Sequence, residues 1–154
     1  MESSKLLTLL QKTGALLEGH FLLTSGRHSN VYIEKFRVLE NPVALNQICK
    51  GMADIVKKEK IDLVLGAAIG GILIAGGVGR HLNTKHIFSE RVNGNMELRR
   101  GFSILSGQKI VIVEDIITTG GSVFELIKLA ENYGAQISHI INLVDRSSKK
   151  LNFK

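Results

Sequence analysis

Residues 110–122 read Ile110-Val111-Ile112-Val113-Glu114-Asp115-Ile116-Ile117-Thr118-Thr119-Gly120-Gly121-Ser122. An apolar run of the kind that fills a buried strand ends in two adjacent carboxylates. A small, hydroxyl- and glycine-rich turn follows, and then an amphipathic helix begins. Such a turn offers backbone N–H groups and hydroxyls to an anion at a helix N-terminus, where the dipole favours negative charge. Two acids beside a phosphate would repel it, so they fit only a ligand that also brings hydroxyls or a divalent metal. The stretch points to a phosphorylated sugar rather than a bare phosphate.

The same strand–turn–helix order occurs upstream. Residues 61–65 read as a strand, Gly66-Ala67-Ala68-Ile69-Gly70-Gly71 as a glycine turn, and residues 72–82 as a helix. His86-Ile87-Phe88 begins another strand, residues 92–97 read as a flexible loop, and residues 98–104 as a short strand leading to the Ser106-Gly107 turn. Residues 109–114 are a strand and 121–133 a helix closed by Gly134 as C′. A last strand over 137–144 ends at Asp145-Arg146. Nearer the N-terminus, residues 3–13 form a helix and residues 19–36 two short strands around a polar turn. A helix opens at Asn41-Pro42, with Asn as N-cap and Pro in the first turn. Its Leu45, Ile48, Met52, Ile55 and Val56 repeat at helical spacing.

Successive strand–turn–helix units define an α/β fold with a mostly parallel central sheet flanked by helices. Ligands of such sheets bind beyond the carboxyl ends of the strands. Three motifs fall there: the 66–71 turn, the 114–122 turn and Asp145-Arg146.

The 154 residues are expected to form one domain, with 44% apolar and 22% charged residues, ordinary values for a globular protein. The net charge of +6 comes without a long basic run and with only 5% aromatics, so no nucleic-acid platform is expected. Cys49 is the single cysteine, which leaves no intrachain disulfide or Cys-based zinc site, and it reads as core. No apolar run approaches the ~20 residues of a membrane helix, and no basic-then-apolar leader is present. A cytoplasmic location with no membrane partner is the expectation. His20, His28, His81, His86 and His139 show no metal-ligand spacing, and no Ser–His–Asp or Cys–His arrangement emerges. No direct protein metal site is expected.

Each motif has a plainer reading. The 66–71 turn lacks both the Gly-Lys-Ser/Thr ending of a phosphate loop and the dinucleotide fingerprint. Alone it is a tight turn; beside the 114–122 turn it can donate N–H groups to a second phosphate. Glu114 and Asp115 could cap a helix or mark a solvated edge, and Thr119 or Ser122 could simply be the N-cap. Arg91, Arg99 and Arg100 bracket the 92–97 loop, where arginines make forked contacts to phosphate or merely add solubility. Arg146 either pairs with Asp145 or captures a carboxylate or a nucleobase edge. The run Ala75-Gly76-Gly77-Val78-Gly79 is glycine-rich for a helix, each Gly costing ~1 kcal/mol relative to Ala.

The string from Val113 to Ser122 resembles the phosphoribosyl-pyrophosphate motif of the type I phosphoribosyltransferases. Gly19-His20-Phe21-Leu22-Leu23-Thr24-Ser25-Gly26, followed by His28-Ser29, resembles the N-terminal hood of their orotate branch. The 66–71 turn is similar to its pyrophosphate loop. Glu90-Arg91 and Leu98-Arg99-Arg100-Gly101-Phe102 resemble one bacterial and archaeal group, and Leu143-Val144-Asp145-Arg146 matches the segment with the orotate-binding arginine. The resemblance implies a type I phosphoribosyltransferase fold, with a helix and small hood over 1–40 and an α/β core over 41–154. It implies transfer of phosphoribosyl from 5-phosphoribosyl 1-diphosphate (PRPP) to orotate in pyrimidine synthesis, by a homodimer, with Mg²⁺ held through PRPP.

Carried over residue by residue, Glu114 and Asp115 hold the ribose hydroxyls and are the candidate catalytic residues. Ile116, Ile117, Thr118, Thr119, Gly120, Gly121 and Ser122 complete the PRPP motif, with 118–122 on the 5′-phosphate. Ala68, Ile69 and Gly70 of the pyrophosphate loop, with Arg91, bind pyrophosphate. Arg146 and Thr118 contact orotate. Many members carry lysines in the mobile loop and one in the hood; here 92–97 has no Lys or Arg, and Thr24 stands at the hood position. The chain stops soon after Arg146, where members usually continue, which leaves two readings open: a natural short form, or a chain that lacks the family's C-terminal part. Two rivals remain: a phosphoribosyltransferase for another base, and a non-catalytic PRPP-sensing regulator.

Overall fold

Residues Leu63, Val64, Leu65, Ile110, Val111, Ile112 and Val113 are all buried, odd and even positions alike. Strands buried on both faces belong at the centre of a parallel sheet, and that is where a computed structural model puts them. It describes residues 3–23, 26–147 and 150–153. The elements run α1 (Ser3–Lys12), β1 (Leu16–Leu22), β2 (His28–Ile33), α2 (Lys35–Leu39), α3 (Pro42–Val56), β3 (Leu63–Ala67) and α4 (Gly70–Leu82). They continue with β4 (Lys85–Val92), β5 (Asn95–Leu98), β6 (Lys109–Ile117), α5 (Gly121–Asn132) and β7 (Gln136–Asp145). The described residues divide into two compact units, 1–48 and 49–154, the division falling within α3.

In the first unit, β1 and β2 form an antiparallel hairpin, Leu16 opposite Ile33 and Leu22 opposite His28. The two strands read from the sequence are thus present, but β2 takes in His28, Ser29 and Asn30, which the reading put in the turn, and Thr24 and Ser25 lie outside the described residues. The register shifts between Glu18 and Phe21, and such a bulge re-aims side chains. His20 Nε2 lies 2.7 Å from His28 Nδ1, a pairing that sequence spacing did not reveal. Asn41 caps α3 as expected: its Oδ1 accepts from the N–H of Val43 at 3.1 Å and of Ala44 at 3.0 Å.

The second unit holds a five-stranded sheet in the order β5-β4-β3-β6-β7. The β3–β4, β3–β6 and β6–β7 pairs are parallel, and β4–β5 is antiparallel. From β3 the chain crosses to β4 on one side, and from β6 to β7 on the other. Right-handed crossovers then put α4 and α5 on opposite faces, and the strand order reverses between β3 and β6. Under α5, Leu63, Leu65, Ile110, Ile112, Val123, Leu126 and Ala130 form one buried cluster.

The glycines of α4 have a packing reason. A methyl on Gly77 would overlap the sulfur of Cys49, and one on Gly79 would stand 2.9 Å from His86 Cβ and from the Thr84 carbonyl oxygen. The helix lies close to its neighbours, and that contact offsets the propensity cost. Cys49 is core as expected, and burial pushes its thiol up to about 11.

Besides the early start of β1 at Leu16, the unread α2 and the extension of β6 to Ile117, three boundaries differ from the sequence reading. First, β3 starts at Leu63 and runs through Gly66 and Ala67, which pair with Phe88 and Ser89. The turn shrinks to Ala68-Ile69, joined by a cis peptide, and α4 begins at Gly70. Second, residues 92–97 are not a flexible loop. Asn93 and Gly94, at φ 49° and 87°, turn β4 tightly into β5, and Asn-Gly suits the two positive φ angles of a two-residue hairpin. Third, the expected strand over 98–104 ends at Leu98, where Arg100 and Gly101 at φ 59° and 74° turn the chain. Gly134, at φ 75°, does close α5: its N–H donates to the Glu131 carbonyl and that of Ala135 to Ala130.

Candidate functional site

The C-terminal ends of β3 and β6 meet where the strand order reverses, the place at which open α/β sheets bind ligands. Their pairing stops at Gly66 opposite Val113. Beyond that point β3 turns away through Ala68-Ile69 into α4. Strand β6 continues to Ile117, paired only with β7, with Glu114 opposite Asn142 and Ile116 opposite Val144. The two acids therefore lie inside a strand rather than at its end, on the stretch of β6 that β3 has left.

Glu114 and Asp115 are 7% and 3% exposed, so neither is a solvated edge residue. Glu114 Oε1 accepts from the Asp115 N–H at 3.0 Å, and Asp115 Oδ1 from the Ile116 N–H at 2.5 Å. The other oxygen, Asp115 Oδ2, sits against Gly70, where a methyl would overlap it. A carboxylate at the first residue of a helix faces the positive end of the dipole. Close approach also holds the turn itself, since a methyl on Gly66 would overlap the Gly71 carbonyl oxygen. Ala68 and Ile69 are left exposed at the tip.

The 118–122 turn has Thr118, Thr119, Gly121 and Ser122 exposed and Gly120 buried. Gly120 is the N-cap of α5 at φ 81° and ψ 0°, with no side-chain cap. The first helical bond runs from the Phe124 N–H to the Gly120 carbonyl at 2.9 Å. The N–H groups of residues 121–123 are therefore without intrahelical acceptors. Thr119 Oγ1 approaches the Gly121 N–H only at 3.5 Å, so neither Thr119 nor Ser122 acts as the cap that the plainer reading offered. Glu114 and residues 116–123 line a hollow of about 50 Å³. The turn's backbone donors and the Glu114 carboxylate share this lining, which suits a ligand with an anionic and a hydroxylic part.

Arg146 follows β7, and its N–H donates to the Ile117 carbonyl at 2.8 Å, which fixes it beside the end of β6. Its expected rival partner is engaged elsewhere: Asp145 Oδ1 accepts from the Ser147 N–H at 2.8 Å. Hydrogen bonds from Ser147 hold the Asp145 carboxyl below the usual carboxylate range. Arg91 has a structural engagement that the sequence did not announce. Its guanidinium forks onto the Glu125 carboxylate of α5 and donates to the Gly94 carbonyl. Arg100 forks onto Glu90 at 2.7 and 3.2 Å, and that bond keeps the Glu90 carboxyl low. Arg–Glu pairs 34 and 10 residues apart leave no periodic trace in a sequence, so Glu125 and Glu90 could be found only in three dimensions.

Parallel strands, a reversal point and a glycine turn after two acids are the type I phosphoribosyltransferase fold, and residues 37–153 match the family described as Phosphoribosyl transferase domain. An orotate phosphoribosyltransferase of Chlorobium phaeobacteroides is 47% identical over 151 residues, 98% of this chain and 78% of that one. Among solved structures, orotate phosphoribosyltransferase from Aeropyrum pernix matches with a TM-score of 0.73 at 28% identity, over 92% of this chain and 81% of that one. Leishmania donovani UMP synthase matches with a TM-score of 0.78 at 25% identity, over 94% of this chain but only 32% of its own. The chain belongs to the orotate phosphoribosyltransferase family.

Proposed function

We propose that this chain transfers the phosphoribosyl group of PRPP to orotate, giving orotidine 5′-monophosphate and diphosphate in pyrimidine synthesis. The observation that supports the reading is the contact of Asp115 Oδ2 with Gly70, which sets the acid pair against the 68–70 turn, while Glu114 shares a hollow with residues 116–123.

The reaction breaks the bond from C1 of the ribose to the diphosphate oxygen, which leaves with the electron pair, while a ring nitrogen of orotate forms the new bond and its N–H proton passes to the departing diphosphate. Positive charge develops on the sugar and negative charge on the leaving group. Glu114 and Asp115 hold the ribose hydroxyls and face the developing positive charge. The N–H groups and hydroxyls of residues 118–122 fix the 5′-phosphate. The exposed Ala68-Ile69 turn, at the N-terminus of α4, receives the diphosphate, and Arg91 adds a cation once it leaves Glu125. Preorganised donors of this kind stabilise charge without reorganising in the reaction. Arg146 and Thr118 take the orotate carboxylate and ring edge.

The donor set fits Mg²⁺ carried on the substrate. Among the described residues no cluster of three or more His, Cys, Asp or Glu could hold a metal. Mg²⁺ characteristically keeps phosphate oxygens and water among its ligands. Carried in on PRPP, the ion would neutralise diphosphate charge, with Glu114 and Asp115 left to the ribose hydroxyls.

A homodimer accords with the exposed apolar side chains Ile55 and Leu73, at 58% and 47%. No helix among the described residues is long and apolar enough to cross a membrane. We place the enzyme in the cytoplasm, where its charged substrates occur.

The test is orotate depletion by the purified chain with PRPP and Mg²⁺. Turnover with stoichiometric diphosphate release is expected. Binding of PRPP without turnover would instead support a sensor, and turnover with another base but not orotate would move the specificity.

A further inference from the structure

We propose that Leu151 and Phe153 are positioning residues for the 118–122 turn, clamping Gly120 from behind so that its N–H groups are ordered before PRPP arrives. The proposal rests on the phosphoribosyl-binding reading of that turn.

Gly120 takes a left-handed conformation with no side-chain cap to hold it. Packing must therefore fix the turn. From the point where a Cβ of Gly120 would stand, Leu151 Cδ1 is 2.9 Å away, and Phe124 Cε2 and Phe153 Cε1 are each 3.3 Å away. The Phe124 and Phe153 rings meet at a tilt of 47° with centroids 4.9 Å apart. Leu151 and Phe153 are half-buried and pack onto the cluster that contains Val123 and Leu126 of α5. Neither lines the hollow formed by Glu114 and residues 116–123. The three apolar side chains pack against Gly120 on its Cβ side, and of the three none lines that hollow. A site whose donors are ordered in advance binds more tightly than one that must order them on binding.

The test uses the full chain with Leu151→Ala plus Phe153→Ala, calorimetric titration of PRPP with Mg²⁺, and thermal unfolding. The control is Val64→Ala, buried in β3 away from the turn. The double substitution is expected to weaken PRPP binding about fivefold or more, and restoring a bulky apolar group as Phe153→Leu with native Leu151 should bring it back to within about twofold. The control should lower the melting temperature with PRPP affinity unchanged. If the double variant does not fold, Leu151→Ala alone is read by the same criteria. Wild-type affinity in a folded clamp variant, or an equal loss in the control, overturns the clamp. A wild-type chain that binds no PRPP overturns the phosphoribosyl reading and the clamp with it.

Discussion

The Oδ2 atom of Asp115 occupies the space that a side chain on Gly70 would need. One residue belongs to β6 and the other opens α4, so this contact sets how near the acids lie to the 68–70 turn. Replacing Gly70 by Ala must displace either the carboxylate or the helix. We expect Gly70→Ala to lower kcat/KM at least about tenfold, equivalent to about 1.4 kcal/mol of barrier. Steady-state assays with a parallel melting curve will separate this from unfolding. Unchanged kinetics would mean that the Asp115–Gly70 contact does not organise the site.

Arg146 carries base recognition in the proposed function. An arginine on a carboxylate contributes about 1.5–3 kcal/mol, so Arg146→Ala should raise the KM for orotate about tenfold or more. The KM for PRPP should stay near the wild-type value. An equal rise in both, or no rise in either, would remove Arg146 from the orotate site.

Arg91 is held by Glu125 across half-exposed side chains. Exposed pairs contribute about 0.2–1 kcal/mol. If Arg91 must leave Glu125 to reach diphosphate, Glu125→Gln should lower the KM for PRPP by up to about fivefold. Arg91→Ala should raise it, and the raised value should be the same in the double variant. If Glu125→Gln and Arg91→Ala both raise KM equally and without additivity, Arg91 is a strut for the β4–β5 hairpin rather than a ligand.

Glu59 accepts a hydrogen bond from Lys109 and one from Ser138, with His139 Nδ1 3.4 Å away. The Lys109 bond, then the Ser138 bond, holds its carboxyl below the ordinary value of 4.5. A carboxyl lowered in the folded state binds fewer protons folded than unfolded. Its stabilisation is complete above about pH 4.5 and is lost as pH falls through the lower folded value. The melting temperature of wild type minus Glu59→Gln should be positive and flat near neutral pH and should shrink below about pH 4.5. A gap that persists undiminished into strong acid would exclude the charge of Glu59 as its source.

Much of the fold was legible because its signals are local. Apolar runs ending in glycine turns announced β3, β6 and the helices after them, Asn41-Pro42 marked the start of α3, and Gly134 the end of α5. The 92–97 segment reads as a loop although its signal is equally local: Asn93-Gly94 is a hairpin turn, and the polar composition around it conceals the antiparallel pair. The 66–71 turn was placed two residues early, because only pairing with β4 draws Gly66 and Ala67 into the strand.

Sequence alone determined which residue types the site offers: two carboxylates, a hydroxyl- and glycine-rich turn at a helix start, and an arginine after the last strand. These follow from short-range order, in which strand, turn and helix succeed one another along the chain. Only the tertiary structure decided that Asp115 touches Gly70 and that Arg91 is bound to Glu125. It also decided that Leu151, Phe124 and Phe153 enclose the back of Gly120. Those contacts join residues 31 to 45 positions apart in all but the Phe124 case, and they depend on the strand order and on two crossovers of one hand. No periodicity encodes such a distance, because side chains meet there only after the sheet has assembled.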